Sequence, residues 1–179
     1  EHPTQAILDM MSLYEKIGYL KGLKIGIIGD IAHSRVARSN IYGLSTMGAD
    51  LTLCGPATLL PLDVNVFPAK ISHSLDEVID WADAIIVLRL QMERMGQKLI
   101  PSIRDYRALF GITSDRIKNH NKKITVMHPG PINRGVEIDS NVADGENSII
   151  LNQVLNGVAS RMAILYLLLG KKVKSMESK

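Results

Sequence analysis

The sequence predicts an α/β fold: a doubly wound, Rossmann-like parallel sheet with helices on both faces. Three observations carry this. Four strand-then-helix steps follow one another along the chain, and crossovers of that kind are right-handed and force the strands parallel. The strand candidates are short apolar runs of the type that is buried: Lys24 to Ile28, Asp50 to Cys54, Ala84 to Leu88 and Ile124 to Met127. Three of them run straight into Gly29, into Arg89 and into His128-Pro129, at the sheet edge where parallel α/β folds place their ligands.

Composition narrows the function classes. The chain has 179 residues with 46% hydrophobic content, enough for one domain with a real core. Its net charge of +3 is mild and its aromatic content is 4%, so it has neither the basic stripe nor the aromatic interleaving of a nucleic-acid surface. Cys54 is the single cysteine, which leaves no disulfide framework and no zinc site and points to a reducing, cytoplasmic setting. The first residues do not read as a signal peptide. The opening Glu1-His2, without a methionine, suggests a processed or excised segment.

The elements follow in order. Pro3 suits the first position of a helix running to about Lys16, with Ile7, Leu8, Met11 and Tyr14 at helical spacing. His2 would then occupy the N-cap, beside the positive end of the helix dipole. The strand Lys24 to Ile28 leads through Gly29-Asp30-Ile31-Ala32-His33-Ser34 into a helix from Arg35 to about Met47. This loop lacks the third glycine of a dinucleotide fingerprint, and the next strand ends in Cys54-Gly55 rather than an acidic residue, so no nicotinamide cofactor is expected. Residues 57–69 are irregular, punctuated by prolines. Lys70-Ile71 reads as a short edge strand, and Leu75 to Trp81 as a helix.

The strand Ala84 to Leu88 runs into Arg89-Leu90-Gln91-Met92-Glu93-Arg94, where Glu93 lies four residues beyond Arg89 and could hold its guanidinium. Residues 97–106 are expected to form a mobile loop with a helical turn, and Ser114 to Asn119 a short helix. The run Ile124 to Met127 feeds His128-Pro129-Gly130-Pro131, a stiff loop whose Gly130-Pro131 bond is a candidate cis peptide. Residues 136–147 are polar and turn-rich. A final apolar helix is expected from about Ser148 to Leu169, interrupted by Asn152, Gln153, Asn156 and Arg161 too often for a membrane span, with 171–179 as a solvated tail. The expected organisation is a ligand-binding domain over 1–147 and a packing helix plus tail over 148–179.

Arg35, Arg89 with Gln91, and the His128–Pro131 loop thus converge on one crevice. Two separated arginines suit a small dicarboxylate, each clamping one carboxylate through its planar fork. No nucleophile or general base stands among them.

Four stretches together resemble the aspartate carbamoyltransferases: His2-Pro3-Thr4-Gln5, Gly29 through Ser39, Arg89-Leu90-Gln91-Met92-Glu93-Arg94, and His128-Pro129-Gly130-Pro131-Ile132-Asn133-Arg134-Gly135-Val136-Glu137. The resemblance covers the whole chain in order, but only the C-terminal, aspartate-binding half of that enzyme. It implies that His2 and Gln5 bind the carbamoyl group of carbamoyl phosphate, His2 donating to its carbonyl oxygen. It implies that the backbone of Gly130 and Pro131 holds the carbamoyl amine. Arg35 would take the aspartate α-carboxylate and Arg89 the β-carboxylate, with Gln91 beside the amine and Glu93 orienting Arg89. Arg134 carries over no role, and is expected either to support a residue that touches substrate or to be structural.

The implied chemistry needs neither metal nor cofactor. The aspartate amine attacks the carbamoyl carbon and phosphate leaves, with His2 stabilising the charge that develops on oxygen. Implied partners are an N-terminal carbamoyl phosphate domain, two further copies in a homotrimer, and in some forms a regulatory chain. The serine-threonine-arginine phosphate loop of the N-terminal half is absent from this sequence, so the chain alone is expected to be inactive. An ornithine carbamoyltransferase is the near alternative, but its cysteine-containing His-Cys-Leu-Pro loop is missing here. A non-catalytic binding module of the same fold is the distant one.

Overall fold

Four short apolar runs and one polar edge segment form a single sheet. In the computed structural model, which describes residues 1–63, 66–91, 99–120 and 122–176, with side chains through 170, they are β1 (Lys24–Ile28), β2 (Asp50–Cys54), β3 (Lys70–Ser72), β4 (Ala84–Val87) and β5 (Thr125–Met127). All pairings are parallel and the spatial order is β3-β2-β1-β4-β5, with Ile27 of β1 opposite both Leu53 of β2 and Ile86 of β4. The chain builds outward from β1 to the β3 edge, then returns to β4 on the other side. The loops therefore diverge between β1 and β4, which is where open parallel sheets form a crevice.

Helices cover both faces: α1 (Pro3–Ile17), α2 (Arg35–Thr46), α3 (Leu75–Trp81), α4 (Ile103–Phe110), α5 (Ser114–Asn119), α6 (Ser140–Ala143) and α7 (Ile150–Met176). Side chains alternate along each strand, so each strand feeds two cores. Ile25, Ile27, Leu53, Ile86 and Met127 pack with Leu13 of α1 and Ile41 and Leu44 of α2. Ile28, Ile85, Val87 and Val126 pack on the other face with Leu75, Val78 and Ile79 of α3 and Tyr106 and Phe110 of α4. Contact on this second face is close enough to dictate a glycine. A Cβ added at Gly26 would stand 2.6 Å from Val78 Cγ1.

The structure departs from the sequence expectations in three places. Instead of a single helical turn inside a loop, α4 is a helix through Phe110. Ser102 caps it by accepting from the Asp105 N–H at 3.0 Å, and Tyr106 and Phe110, one turn apart, are buried. A four-residue helix, α6, interrupts the turn-rich segment after the proline loop. The last helix is also longer than expected, starting at Ile150 and continuing to Met176, so most of the expected tail is helical. Its lysines are good helix formers and no proline follows Gly170 to stop it.

Helix α7 has two characters. Gln153 and Asn156 are buried against α1, where Asn156 Nδ2 donates to Ser12 Oγ at 3.0 Å and to Glu15 Oε2 at 2.6 Å. On its other side Leu151 is 80% exposed, and Val154, Leu155, Val158 and Met162 are each more than half exposed. By length and composition alone, Ile150–Gly170 is apolar enough to cross a membrane. The hydrogen-bonded polar seam instead ties the helix to the domain.

Candidate active site

Each strand end at the crevice is held by its own local chemistry. After β1, Asp30 Oδ1 accepts from the His33 N–H at 3.2 Å and lies 2.8 Å from His33 Nδ1, which closes a tight loop. Ser34 then caps α2 by accepting from the Ala37 N–H at 3.0 Å, and Arg35 follows as the first helical residue. After β4, the Leu88 N–H still donates to the Ile28 carbonyl at 2.8 Å, so Arg89 and Gln91 leave the sheet from a fixed base.

The β5 loop is braced more heavily. The His128 N–H donates to Gln153 Oε1 at 3.0 Å, and the Gly130 N–H donates to His128 Nδ1 at 2.9 Å. Nδ1 is therefore the acceptor nitrogen, and the neutral ring carries its proton on Nε2, 3.3 Å from Glu137 Oε1. Both of those side chains are fully buried. Glu137 Oε1 also accepts from the Asn133 N–H at 2.6 Å, while Asn133 Nδ2 donates to the Leu90 carbonyl at 2.9 Å and joins this loop to the one after β4. The Gly130-Pro131 bond is cis, as the sequence suggested, with Gly130 at φ 70°.

At the start of α1, His2 is the N-cap residue but makes no side-chain capping bond. Its N–H donates to Ser39 Oγ at 2.9 Å, which leaves the imidazole for the crevice. Burial lowers its pKa below the ordinary 6.5, and the positive charges of Arg35 and Arg161 lower it further, so the ring is neutral at pH 7. One turn on, Gln5 Nε2 donates to Asp9 Oδ1 at 2.9 Å.

A cavity of about 210 Å³ collects these groups. It is lined by His2 and Gln5 from α1, Arg35 from α2, Arg89 and Gln91 after β4, and Gly130 and Pro131 after β5. Gln91 Oε1 is buried with no hydrogen-bond partner among the described residues, an acceptor waiting for a donor. Glu93, expected to orient Arg89, lies outside the described residues. Arg134 sits on the surface in a two-pronged pair with Asp144, at 2.6 and 2.8 Å, in keeping with a structural role. Ser34 and Pro129 also line the cavity, and sequence reasoning had given them no task. The buried hub Asp9 was missed as well; it stands one turn beyond Gln5, and that spacing was the available signal.

A larger cavity of about 580 Å³ lies among α3, α4 and α5. Most of its cations are already engaged: Arg107 with Asp139 at 2.6 Å, Arg116 with Asp76 at 2.9 Å, and His120 with Asp80 at 2.5 Å. Among the described residues, no group of three or more His, Cys, Asp or Glu is placed to hold a metal ion.

Known proteins match this architecture. The sequence profile of the aspartate/ornithine carbamoyltransferase Asp/Orn binding domain matches residues 21–168. The aspartate carbamoyltransferase catalytic subunit of Syntrophobacter fumaroxidans is 56% identical over 168 residues, 94% of this chain and 55% of its own length. That of Gemmatimonas aurantiaca is 53% identical over 172 residues, 96% of this chain and 54% of its own. Among solved structures, the catalytic subunit of M. jannaschii aspartate transcarbamoylase superposes with a TM-score of 0.79 at 30% identity, covering 96% of this chain and 56% of that one. Ornithine carbamoyltransferase from Pyrococcus furiosus superposes at 0.81 with 25% identity, covering 93% and 56%. The Trypanosoma cruzi aspartate transcarbamoylase in complex with carbamoyl phosphate gives 0.79 at 29% identity, covering 93% and 55%. The chain spans about half the length of the curated relatives it matches. With its parallel sheet, its crevice between β1 and β4 and a profile match over most of its length, this chain belongs to the aspartate/ornithine carbamoyltransferase family, whose Asp/Orn binding domain it carries.

Proposed function

We propose that this chain is the aspartate-binding half of an aspartate carbamoyltransferase, an enzyme of pyrimidine biosynthesis that moves the carbamoyl group of carbamoyl phosphate to the amine of L-aspartate. The observation that carries the proposal is the cavity itself. Two arginines from different strand ends line it together with the unpartnered Gln91 acceptor, and the His2, Gln5 and Gly130-Pro131 groups belong to the same lining. In this reading Arg35 and Arg89 each fork onto one carboxylate of aspartate, and Gln91 Oε1 accepts from its amine. Glu93 remains the proposed orienting partner of Arg89.

The carbamoyl group sits between Gln5 and the Gly130-Pro131 backbone. The amine nitrogen forms its bond to the carbamoyl carbon, the C–O bond to phosphate breaks with the electron pair leaving on phosphate, and the proton lost by the amine passes to an oxygen of the departing phosphate. A neutral His2 whose Nδ1 faces Thr4 Oγ1 at 3.4 Å can present Nε2–H to the carbonyl oxygen. That is oxyanion stabilisation, and the start of α1 adds its dipole to it.

The remaining charge partners of phosphate belong to the half that relatives carry beyond this chain. The exposed apolar face of α7 is the surface proposed to meet that half, so residues 148–179 join two domains rather than ending one. The same reading makes the complete enzyme a cytoplasmic homotrimer, with room for a regulatory chain. The ornithine reading is favoured by the likeness to the Pyrococcus enzyme, but a cationic acceptor would face Arg89 across the cavity.

Calorimetric titration with a bisubstrate phosphonate analogue of carbamoyl phosphate and aspartate tests the proposal. Once the chain is combined with a separately expressed amino-terminal half, the analogue is expected to bind tightly and to be displaced by aspartate but not ornithine. The purified chain alone is expected to form no carbamoyl-aspartate. Displacement by ornithine, or steady turnover by the chain alone, would overturn the assignment.

A further inference from the structure

We propose that Asp9 is a positioning residue for the carbamoyl donor. It sets which way round the Gln5 amide faces the cavity and ties that amide, through Gln153, to the backbone of the β5 loop. The inference rests on reading the cavity as a carbamoyl phosphate site.

Asp9 is fully buried where α1, α2 and α7 meet. Its Oδ1 accepts from Gln5 Nε2 at 2.9 Å and from Gln153 Nε2 at 2.7 Å, and its Oδ2 accepts from Asn40 Nδ2 at 2.8 Å. An ionised carboxylate offers only acceptors, so every amide turned toward it must present its NH2. Gln5 Oε1 is therefore the atom left for the cavity, and it can accept from a carbamoyl NH2. A flipped Gln5 would set donor against donor. Gln153 is constrained in the same way: with its nitrogen on Asp9, its Oε1 is free to take the His128 N–H at 3.0 Å. One carboxylate thus sets the polarity of two amides, one lining the cavity from α1 and one holding the loop that lines it from β5.

Packing gives no reason for a charge at this point. The neighbouring α1 positions Leu8 and Leu13 are buried leucines, and a buried carboxylate is costlier than an apolar side chain of similar volume. The three amides that face Asp9 come from three different helices, and one of the three lines the cavity.

The test compares Asp9→Leu, Asp9→Asn and Gln5→Ala in the complete enzyme, this chain together with its amino-terminal half. Carbamoyl phosphate affinity is read by calorimetry near pH 8, alongside kcat and the aspartate KM. Asp9→Leu is expected to weaken carbamoyl phosphate about tenfold, the equivalent of one lost hydrogen bond, and to lower kcat while the aspartate KM stays within about twofold. Asp9→Asn is expected to retain binding within about threefold. Its Oδ1 still serves both glutamines, and Asn40, whose Oδ1 has no partner among the described residues, can turn to accept from the new NH2.

If Asp9→Leu does not fold, nitrogen-15 NMR of the wild-type Gln5 side chain answers instead. Amide protons that stay protected from solvent exchange when carbamoyl phosphate is added support the assignment, and protons that become exposed overturn it. If Gln5→Ala weakens the donor but Asp9→Leu binds it as the wild type does, the role of Asp9 fails alone. If the wild type does not bind carbamoyl phosphate, or Gln5→Ala binds it equally well, the reading of the cavity fails and Asp9's role falls with it.

Discussion

Asp9 also makes stability depend on pH, in the direction opposite to that of a salt-bridged carboxylate. Burial pushes its carboxyl up from 3.8 to about 6, and the hydrogen bonds from Asn40, Gln153 and Gln5 only partly offset this. Because its folded pKa lies above the unfolded one, the folded state holds the proton more tightly. The stabilising contribution is complete below about pH 4 and is lost as pH rises through about 6. The rise from 3.8 to about 6 corresponds to roughly 3 kcal/mol, a large part of a domain stability of about 5–15 kcal/mol. Asp9→Asn keeps the shape and most of the hydrogen bonds without the charge. It should therefore be more stable than the wild type by about 2–3 kcal/mol near pH 8, and within about 1 kcal/mol of it near pH 4. Urea unfolding of both proteins between about pH 4 and pH 8 reads this directly, since groups that titrate in both cancel in the difference. A difference that stays constant with pH, or an Asp9→Asn protein less stable near pH 8, would refute the argument.

The other predictions concern the site and the sheet. Arg89→Lys in the complete enzyme should raise the aspartate requirement far more than the carbamoyl phosphate requirement, because an ammonium cannot make the two-pronged pair; equal loss for both substrates would sink that role. His2→Ala should lower turnover by roughly 10²–10³, the range for losing one oxyanion donor, with substrate binding changed less, as steady-state kinetics and calorimetry together would show. Gly26→Ala should destabilise the domain by about 1–3 kcal/mol, because its new methyl group collides with Val78, and Gly26→Ala/Val78→Ala should recover part of the loss in urea midpoints.

The strands and most helices were legible because their signals are local. Ile25, Ile27 and Ile28 announce a buried strand without any knowledge of their neighbours, and Pro3 announces a helix start. Arg35, Arg89 and Gly130-Pro131 were legible as site candidates for a related reason: each follows an apolar run at the edge where parallel sheets bind ligands. What could not be read is what depends on distant pairing. Asp9 and Gln153 are 144 residues apart in sequence, and neither the spacing of Asp9 from Gln5 nor the place of Gln153 in an apolar helix says that the two meet. The β4-side bracing by Asn133 on the Leu90 carbonyl is equally invisible to spacing rules. Helix α4 was hidden because Ile103, Tyr106 and Phe110 follow a stretch with no clear periodicity, and its cap at Ser102 went unweighed. The far end of α7 was hidden because a lysine-rich end reads equally well as solvated coil.

The sheet's loops divide the labour in a way that bears on descent. On the proposed reading, the donor is recognised from α1 and the β5 loop, which are joined through Asp9 and Gln153, whereas the acceptor is recognised by Arg35 and Arg89, which sit after β1 and β4. Arg35 would take the α-carboxylate that every amino acid carries, so a change of acceptor would then need new letters in the β4 loop and no redrawing of the donor apparatus. A family whose shared domain is described by two alternative amino acids, one with an anionic side chain and one with a cationic one, is what such a partition would leave behind. Duplicate genes could drift apart in the β4 loop while inheriting the rest of the crevice unchanged.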